Sequence, residues 1–183
     1  MTLRPIIFLD VDDVLCVNRP YGAYDLDKSP RPADLWERLF ADEAKKVLTR
    51  VHQAFASDGI RYVLSTSWRS HFSRTEFAEI FERTGLGFVA QNLESDERWR
   101  TPIPESGSDR FQDIDDWLSL HHQGEPFAVL DDYYSGWSLR EAMIDPRHPI
   151  ASRVVLCKEG VGLLPEHLKK IIEILRRPGS EAL

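Results

Sequence analysis

Four short apolar runs, in which polar residues do not alternate with apolar ones, divide the chain. They lie at Ile6–Leu9, Tyr62–Leu64, Phe127–Leu130 and Val154–Leu156. Runs of this kind are typical of strands that are covered on both faces, as in a parallel sheet. Gly87–Ala90 is a candidate fifth strand. The pattern therefore predicts a sheet whose strands are mainly parallel.

Segments with helical periodicity lie between the apolar runs. Their stripes comprise Ala44, Val47, Leu48, Val51 and Phe55; Phe77, Ile80 and Phe81; Phe111, Ile114, Trp117 and Leu118; and Leu168, Ile171, Ile172 and Leu175. Alternating strands and helices predict a doubly wound α/β fold, with helices on both faces and ligands at the carboxyl ends of the strands. The length of 183 residues favours a single domain over 1–183.

Two stretches, Val17–Pro32 and Gln91–Ser108, fit neither periodicity and are rich in proline, glycine and charge. Long loops in a compact domain usually act as lids or contact substrate, and disorder is the alternative. We interpret residues 17–41 as a possible lid or flap insertion that is too short for a large cap domain. The active crevice should then be open to bulky substrates. Residues 177–183 are expected to form a frayed tail.

Composition and charge exclude several classes of protein. The net charge of −7 argues against a broad basic surface for nucleic acid, although a local basic pocket is compatible with it. No apolar run approaches the roughly 20 residues of a membrane-spanning helix. The first 13 residues lack the features of a signal peptide. We therefore expect a cytoplasmic protein with no membrane partner, whose two cysteines, Cys16 and Cys157, are reduced.

Acidic residues follow two of the predicted strands directly. Asp10 and Asp12 come after the first strand, and Asp131 and Asp132 come after the third. If these strands are neighbours, up to five carboxylates, including that of Asp13, crowd one crevice. Such a cluster opposes folding unless a divalent cation lies within it. Oxygen ligands indicate Mg²⁺, which usually also binds a substrate phosphate.

Hydroxyl side chains follow the second predicted strand. Ser65, Thr66 and Ser67 form a turn whose backbone N–H groups are suited to a phosphate oxygen, and Arg69 comes shortly after. We therefore interpret these four residues as candidates for phosphate binding. A hydroxyl turn beside paired carboxylates suits phosphoryl transfer, in which the protein mainly aligns the nucleophile and neutralises charge.

These segments resemble the motifs of the haloacid dehalogenase (HAD) superfamily. IIFLDVDDVL resembles motif I, VLSTSWR resembles motif II and FAVLDD resembles the acidic motif IV, in the same order and at similar spacing. Further features resemble the branch of small phosphatase-like HAD domains associated with Swiss Army Knife RNA repair proteins. They are the SWR sequence, the run Arg110–Leu118, and Gly162-Leu163 followed by a helix.

The resemblance implies a mechanism for motifs I and IV. Asp10 would form an aspartyl-phosphate, while Asp12 would protonate the leaving oxygen and then activate water. Mg²⁺ would be held by Asp10, by the backbone carbonyl of Asp12, and by Asp131 or Asp132, with the other acting through water. Which of the last two touches the metal is left open.

The resemblance also implies a phosphoryl-binding hydroxyl and a basic third motif. Thr66 would bind the phosphoryl group, or Ser65 if the strand ends one residue earlier. Arg110 is the preferred candidate for the basic residue that stabilises the nucleophile and the phosphate, and Lys158 is its rival because it also follows a strand.

One residue departs from the family pattern, since Asp13 stands where the family usually has glycine. We expect a Mg²⁺-dependent phosphomonoesterase, acting on a nucleotide or on a phosphorylated nucleic-acid end. The alternative is a phosphoryl-binding or regulatory module that has lost turnover, for which Asp13 is the motivation. A phosphotransferase or phosphonate hydrolase on the same scaffold, and the oligomeric state, also stay open.

Five aromatic residues leave two interpretations open. They either stack a nucleobase around the crevice or pack in the core and at its rim. These residues are Trp68, Trp99, Tyr133, Tyr134 and Trp137.

Overall fold

A computed structural model describes residues 3–104, 107, 109–145 and 147–179. Within them, four parallel strands form one sheet in the order β2-β1-β3-β4. The strands are β1 (Ile6–Leu9), β2 (Arg61–Leu64), β3 (Phe127–Asp132) and β4 (Val154–Cys157). The predicted doubly wound, parallel fold is confirmed.

Helices connect and flank these strands. They are α1 (Ala23–Leu26), α2 (Leu35–Arg38), α3 (Asp42–Gln53), α4 (Arg74–Arg83), α5 (Gly87–Gln91), α6 (Arg110–His121), α7 (Trp137–Ala142) and α8 (Pro165–Arg176). Short 3₁₀ turns lie at Ser67–Ser70, Asp96–Trp99 and Ala151–Arg153. Helix α4 begins with a capping box in which Ser73 and Glu76 bond to each other's backbone N–H, as the S-x-x-E pattern favours.

Alternate residues of each strand enter two separate cores. In β1, Ile7 and Leu9 pack with apolar residues of α3, α4 and α8, whereas Ile6 and Phe8 pack with those of α6 and α7. Every residue of β1 is fully buried. Burial on both faces explains why the strands are continuously apolar.

The register of the sheet brings the last residues of β1 and β2 level with Leu130 of β3. Leu9 pairs with Leu64 on one side and with Leu130 on the other. The next residue of each strand, which is Asp10, Ser65 or Asp131, therefore emerges at the same edge.

Strand β3 is longer than the apolar pattern predicted. It includes Asp131 and Asp132, which pair with Leu156 and Cys157 of β4. The hydrophobic pattern could not show this, because backbone pairing with β4 continues beyond the last apolar residue of β3.

The candidate fifth strand at Gly87–Ala90 is wrong, because this segment lies in helix α5. An apolar run of four residues does not distinguish a strand from a buried helical turn. The edge of β2 is instead contacted by isolated bridges, from Tyr62 to Leu93 and from Leu64 to Arg100. The stretch predicted as a loop from Gln91 thus covers a sheet edge, which protects its backbone groups.

The proposed flap at 17–41 contains α1 and α2 and is anchored in the core. Leu26, Leu35, Leu39 and Phe40 are all buried in the larger core cluster. At the other end of the chain, the carbonyl oxygen of Pro178 accepts a hydrogen bond of 2.6 Å from Nη2 of Arg153. The rest of the predicted frayed tail, 180–183, lies outside the described residues, as do 105, 106 and 108 of the second loop.

No helix in the described ranges is both long enough and apolar enough to cross a bilayer.

Candidate active site

Three carboxylates meet at the carboxyl edge of the sheet. Asp10, Asp131 and Asp132 each offer an oxygen within 4.8 Å of the others, and all three residues are buried. They meet because β1 and β3 are adjacent and in register, so that Asp10 donates its backbone N–H to the carbonyl of Leu130 at 2.9 Å. The tertiary structure thus joins the two acidic segments that the sequence separates by about 120 residues.

The turn after β3 contributes a hydroxyl to this cluster. Ser135 Oγ lies 2.9 Å from Oδ1 of Asp131 and 3.3 Å from Oδ2 of Asp10, and it also contacts Oδ2 of Asp132. The backbone N–H groups of Tyr134 and Ser135 donate to Oδ1 of Asp132, at 2.6 and 3.0 Å. Asp132 therefore shapes the turn that presents the Ser135 hydroxyl to the carboxylates.

Gly136 permits this turn to approach the sheet. A Cβ atom at this position would lie 2.5 Å from the carbonyl oxygen of Asp132 and 3.4 Å from Oδ1 of Asp131. Any larger residue would displace the backbone that carries the carboxylates.

Arg110 is the cation that the fold brings to the carboxylates. Its Nη2 lies 3.4 Å from Oδ1 of Asp10, and its Nε lies 3.3 Å from Oδ2 of Asp131. The side chain is buried, and its Nη1 has no hydrogen-bond partner among the described residues. Lys158 is exposed and does not line the cavity that Arg110 lines. The geometry therefore favours Arg110 over Lys158 as the basic residue of the site.

The hydroxyl turn after β2 lies beside Asp10. The Thr66 side chain is fully buried, and its hydroxyl lowers the pKa of Asp10. Ser65 is also buried, and its Oγ has no hydrogen-bond partner within the described part of the chain. Ser67 begins the following 3₁₀ turn and lines the adjacent cavity.

Asp12 faces a different set of donors. Its Oδ2 accepts hydrogen bonds from Nε1 of Trp68 at 2.8 Å and from Oγ of Ser67 at 3.3 Å. Its Oδ1 has a longer contact of 3.5 Å with Nδ2 of Asn18. The Asp12 carboxylate is not part of the three-carboxylate cluster. Motif II thus positions Asp12 through the buried indole of Trp68.

Arg69, a predicted phosphate-binding residue, is buried behind the site. Its contacts include an ion pair with Asp113 of α6, in which both side chains are 1% exposed, and hydrogen bonds to the carbonyls of Thr66 and Pro102. It does not line the cavity beside Asp10. The fold therefore places Arg69 between the motif II turn and the helix that carries Arg110. Arg69 follows Thr66 by three positions, so the sequence predicted a place near the phosphate, but in the 3₁₀ turn its side chain pairs with Asp113 instead.

Asp13 has a structural role in the turn after Asp12. Its φ angle is 52°, in the left-handed region that favours glycine, and its Oδ1 accepts a hydrogen bond of 2.7 Å from the backbone N–H of Gly160. This bond ties the turn after β1 to the loop after β4. Glycine, which the resemblance to motif I implies at this position, adopts such a φ angle without strain.

Burial dominates the electrostatics of the carboxylates. Burial and the neighbouring charge of Asp131 raise the pKa of Asp10 well above its ordinary value, although Arg110 opposes the shift. Burial raises the pKa of Asp131 to about 6. Burial also raises the pKa of Asp12, against the hydrogen bond from Trp68.

The carboxylate cluster fits a magnesium ion by two observations. Its ligands are all oxygen atoms, which Mg²⁺ prefers. In addition, Oδ2 of Asp131 is buried without a hydrogen bond among the described residues. Beside its ion pair with Arg110, this oxygen could bind a divalent cation, which would also reduce the repulsion that contributes to the raised pKa values.

A cavity of about 620 Å³ opens beside the cluster. It is lined by Ser67, Arg110, Tyr133, Tyr134, Ser135, Trp137 and Arg140. Of the five aromatic residues considered in the sequence analysis, two are packed in the core and three lie at this cavity. Trp68 and Trp99 are buried, whereas the other three are exposed on this cavity.

Sequence reasoning missed Ser135, Gly136 and the role of Trp68. Ser135 carried a weak signal, since a hydroxyl residue follows the acidic pair within one turn. The contacts of Gly136 and Trp68 depend on chain segments that are distant in sequence, so the local pattern could not reveal them.

A family model described as "HAD domain in Swiss Army Knife RNA repair proteins" matches residues 6–168 of the chain. The match spans all four strands, both acidic segments and the hydroxyl turn. No curated protein and no solved structure matches the chain at a significant level.

Proposed function

We propose that this chain, which belongs to the family of HAD domains in Swiss Army Knife RNA repair proteins, is a magnesium-dependent phosphomonoester hydrolase. One observation carries the proposal. The buried Arg110, with an unpartnered Nη1, meets Asp10 and Asp131 at the edge of an open cavity. A buried cation beside a nucleophilic carboxylate is the arrangement that a phosphoryl group requires.

In this proposal Asp10, Asp131 and the backbone carbonyl of Asp12 would hold Mg²⁺. Bound there, Mg²⁺ would neutralise charge on the phosphoryl oxygens and help to align the ester. We assign Asp131 as the direct ligand because its Oδ2, which pairs only with Arg110 among the described residues, accepts no hydrogen bond there, whereas both oxygens of Asp132 contact groups of the following turn. Asp132 then acts through water.

The first half-reaction transfers the phosphoryl group to the protein. A carboxylate oxygen of Asp10 attacks phosphorus, a bond forms between them, and the bond from phosphorus to the ester oxygen breaks. Arg110 Nη1 and the Thr66 hydroxyl bind phosphoryl oxygens. Asp12 protonates the leaving oxygen, and Oδ1 is the suitable atom, since Trp68 and Ser67 both donate to Oδ2.

The second half-reaction releases phosphate. Asp12, now deprotonated, removes a proton from a water molecule that attacks the aspartyl-phosphate. The bond from phosphorus to the Asp10 oxygen breaks, which yields inorganic phosphate and restores the carboxylate. The raised pKa of Asp12 supports both roles, because an acid of ordinary strength would rarely be protonated near neutral pH.

We further propose that the substrate is a nucleotide or a phosphorylated nucleic-acid end. The printed family description concerns RNA repair, and the exposed aromatic residues beside the site suit a nucleobase. A cytoplasmic location and a single domain stay predictions.

The departure at Asp13 does not favour an inactive binding module. The carboxylate is outside the three-carboxylate cluster and bonds to the N–H of Gly160. It therefore adds no charge to the cluster that would receive the phosphoryl group.

The test is hydrolysis of para-nitrophenyl phosphate and of a panel of phosphorylated nucleotides and oligonucleotides, with and without Mg²⁺. Wild type should release phosphate only with the metal, and Asp10→Asn should release none. Asp27→Asn, at an exposed position, is the matched control and should retain full activity. Absence of turnover by folded wild type on the whole panel would refute the proposal, as would full activity of Asp10→Asn.

A further inference from the structure

Three aromatic side chains are exposed together beside the carboxylates. Tyr133, Tyr134 and Trp137 are 50%, 82% and 49% exposed, and all three line the cavity of about 620 Å³. Large aromatic side chains exposed as a group usually mark a binding surface. These three follow Asp132 within five residues, so their backbone is joined to the reacting edge of the sheet.

The same cavity is lined by a cation that has no partner in the described part of the chain. Arg140 lies three residues after Trp137 on α7, and residues at this spacing share one face of a helix. Its guanidinium is exposed and has no hydrogen bond or ion pair among the described residues. In a chain of net charge −7, an unpaired arginine on this wall favours an anionic ligand group.

A second cavity adjoins the first one. The second cavity, of about 350 Å³, shares Tyr133 and Arg140 with the first. His167 and Lys170 of α8 also line it. Aromatic side chains and the cations Arg110, Arg140 and Lys170 thus lie along two adjoining cavities, between the carboxylates and α8.

We propose that Tyr133, Tyr134, Trp137 and Arg140 form a subsite for the nucleoside and the next phosphate of a single-stranded nucleic-acid end. This inference rests on the proposed function, which places the terminal phosphate at Asp10. The terminal base stacks on the aromatic residues, and the following phosphodiester binds Arg140. The strand then continues toward His167 and Lys170.

Single-stranded nucleic acid is favoured because its bases match the aromatic residues of the cavities and its phosphates match their basic residues. Aromatic side chains stack on any base without sequence preference, and a basic path follows the phosphates. A small alkyl phosphate would leave the aromatic wall uncovered. A mononucleotide would leave the second cavity and its basic residues unused. The few basic residues of the two cavities are consistent with an acidic chain of net charge −7.

The experiment measures binding of fluorescent, terminally phosphorylated RNA trinucleotides by anisotropy, with the phosphate on either terminus. The Asp10→Asn variant is the reference, so that binding is measured without turnover. Adding Trp137→Ala should weaken binding at least about fivefold, as expected for loss of one base stack. Adding Trp137→Phe should restore most of the affinity, because the aromatic face is retained.

Adding Arg140→Gln should weaken binding and reduce its dependence on salt concentration, because one phosphate contact is lost. Arg176→Gln, at an exposed arginine of α8 that lines neither cavity, is the matched control and should leave the affinity unchanged.

The outcomes separate this inference from the proposed function. If wild type hydrolyses para-nitrophenyl phosphate but Trp137→Ala and Arg140→Gln do not alter trinucleotide affinity, the subsite is refuted and the phosphatase stands. If binding depends on Trp137 and Arg140 but no substrate is hydrolysed, the subsite is supported and the proposed function fails. Equal affinity for a phosphotyrosine peptide, with the same dependence on Trp137, would overturn the assignment to nucleic acid.

Discussion

Replacing Asp13 with glycine should raise the free energy of unfolding by one effect and lower it by two others. Glycine adopts the observed φ of 52° without strain, which should contribute about 1 kcal/mol of stability. The substitution also removes the carboxylate that accepts the N–H of Gly160 at 2.7 Å. A hydrogen bond to a charged group contributes about 1.5 kcal/mol or more. Glycine also lowers the free energy of unfolding by about 0.5 kcal/mol, because it has greater conformational freedom in the unfolded chain.

The balance predicts that Asp13→Gly lowers the free energy of unfolding by about 1 kcal/mol. For a chain of this size, the melting temperature should fall by about 3 °C. Asp13→Asn retains an acceptor and tolerates the left-handed region, so it should stay within about 0.5 kcal/mol of wild type. Asp13→Ala loses the acceptor and tolerates that region poorly, so it should be the least stable, by about 2 kcal/mol.

Equilibrium unfolding in urea, with excess chelator so that metal binding does not contribute, measures these differences. The expected order of stability is wild type, then Asn, then Gly, then Ala. A glycine variant more stable than wild type would show that the bond to Gly160 contributes less than the backbone strain. The proposed role of Asp13 in joining the two loops would then be wrong.

Three further predictions concern the site. Trp68→Phe should lower kcat by about tenfold and move the basic limb of the kcat/KM pH profile upward, because Asp12 must be protonated in the first half-reaction and Trp68 lowers its pKa by donating to it; an unmoved limb contradicts this. Asp113→Asn should lower the free energy of unfolding by about 3 kcal/mol, since buried Arg69 loses its counter-charge; a loss below about 1 kcal/mol in urea unfolding would count against the pair. Saturating Mg²⁺ at constant ionic strength should stabilise the protein by about 2.7 kcal/mol at one hundred times Kd. The shift should be smaller at pH 5 than at pH 7.5, because burial raises the pKa of Asp131 to about 6 and protons compete below it; an unchanged melting curve at both pH values would refute the metal site.

The hydrophobic pattern was sufficient to predict a parallel sheet with helices on both faces. Each strand is buried on both faces, so its apolar run is continuous in the sequence. This run can be recognised without knowing which strands lie beside it. The pattern failed at Gly87–Ala90, where four apolar residues form helix α5. It also failed at the end of β3, where pairing with β4 extends the strand through two aspartates.

The sequence by itself determined the strands, the parallel fold and the chemical character of the site. Short-range patterns carry this information, because an acidic pair after a buried strand is defined by adjacent residues. Only the tertiary structure decided which side chains meet. It placed Arg110 beside Asp10 and Asp131 and paired Arg69 with Asp113. It also left Trp137 exposed and buried Trp68. These choices depend on strand order and register, which are set by packing between residues that are far apart in the chain.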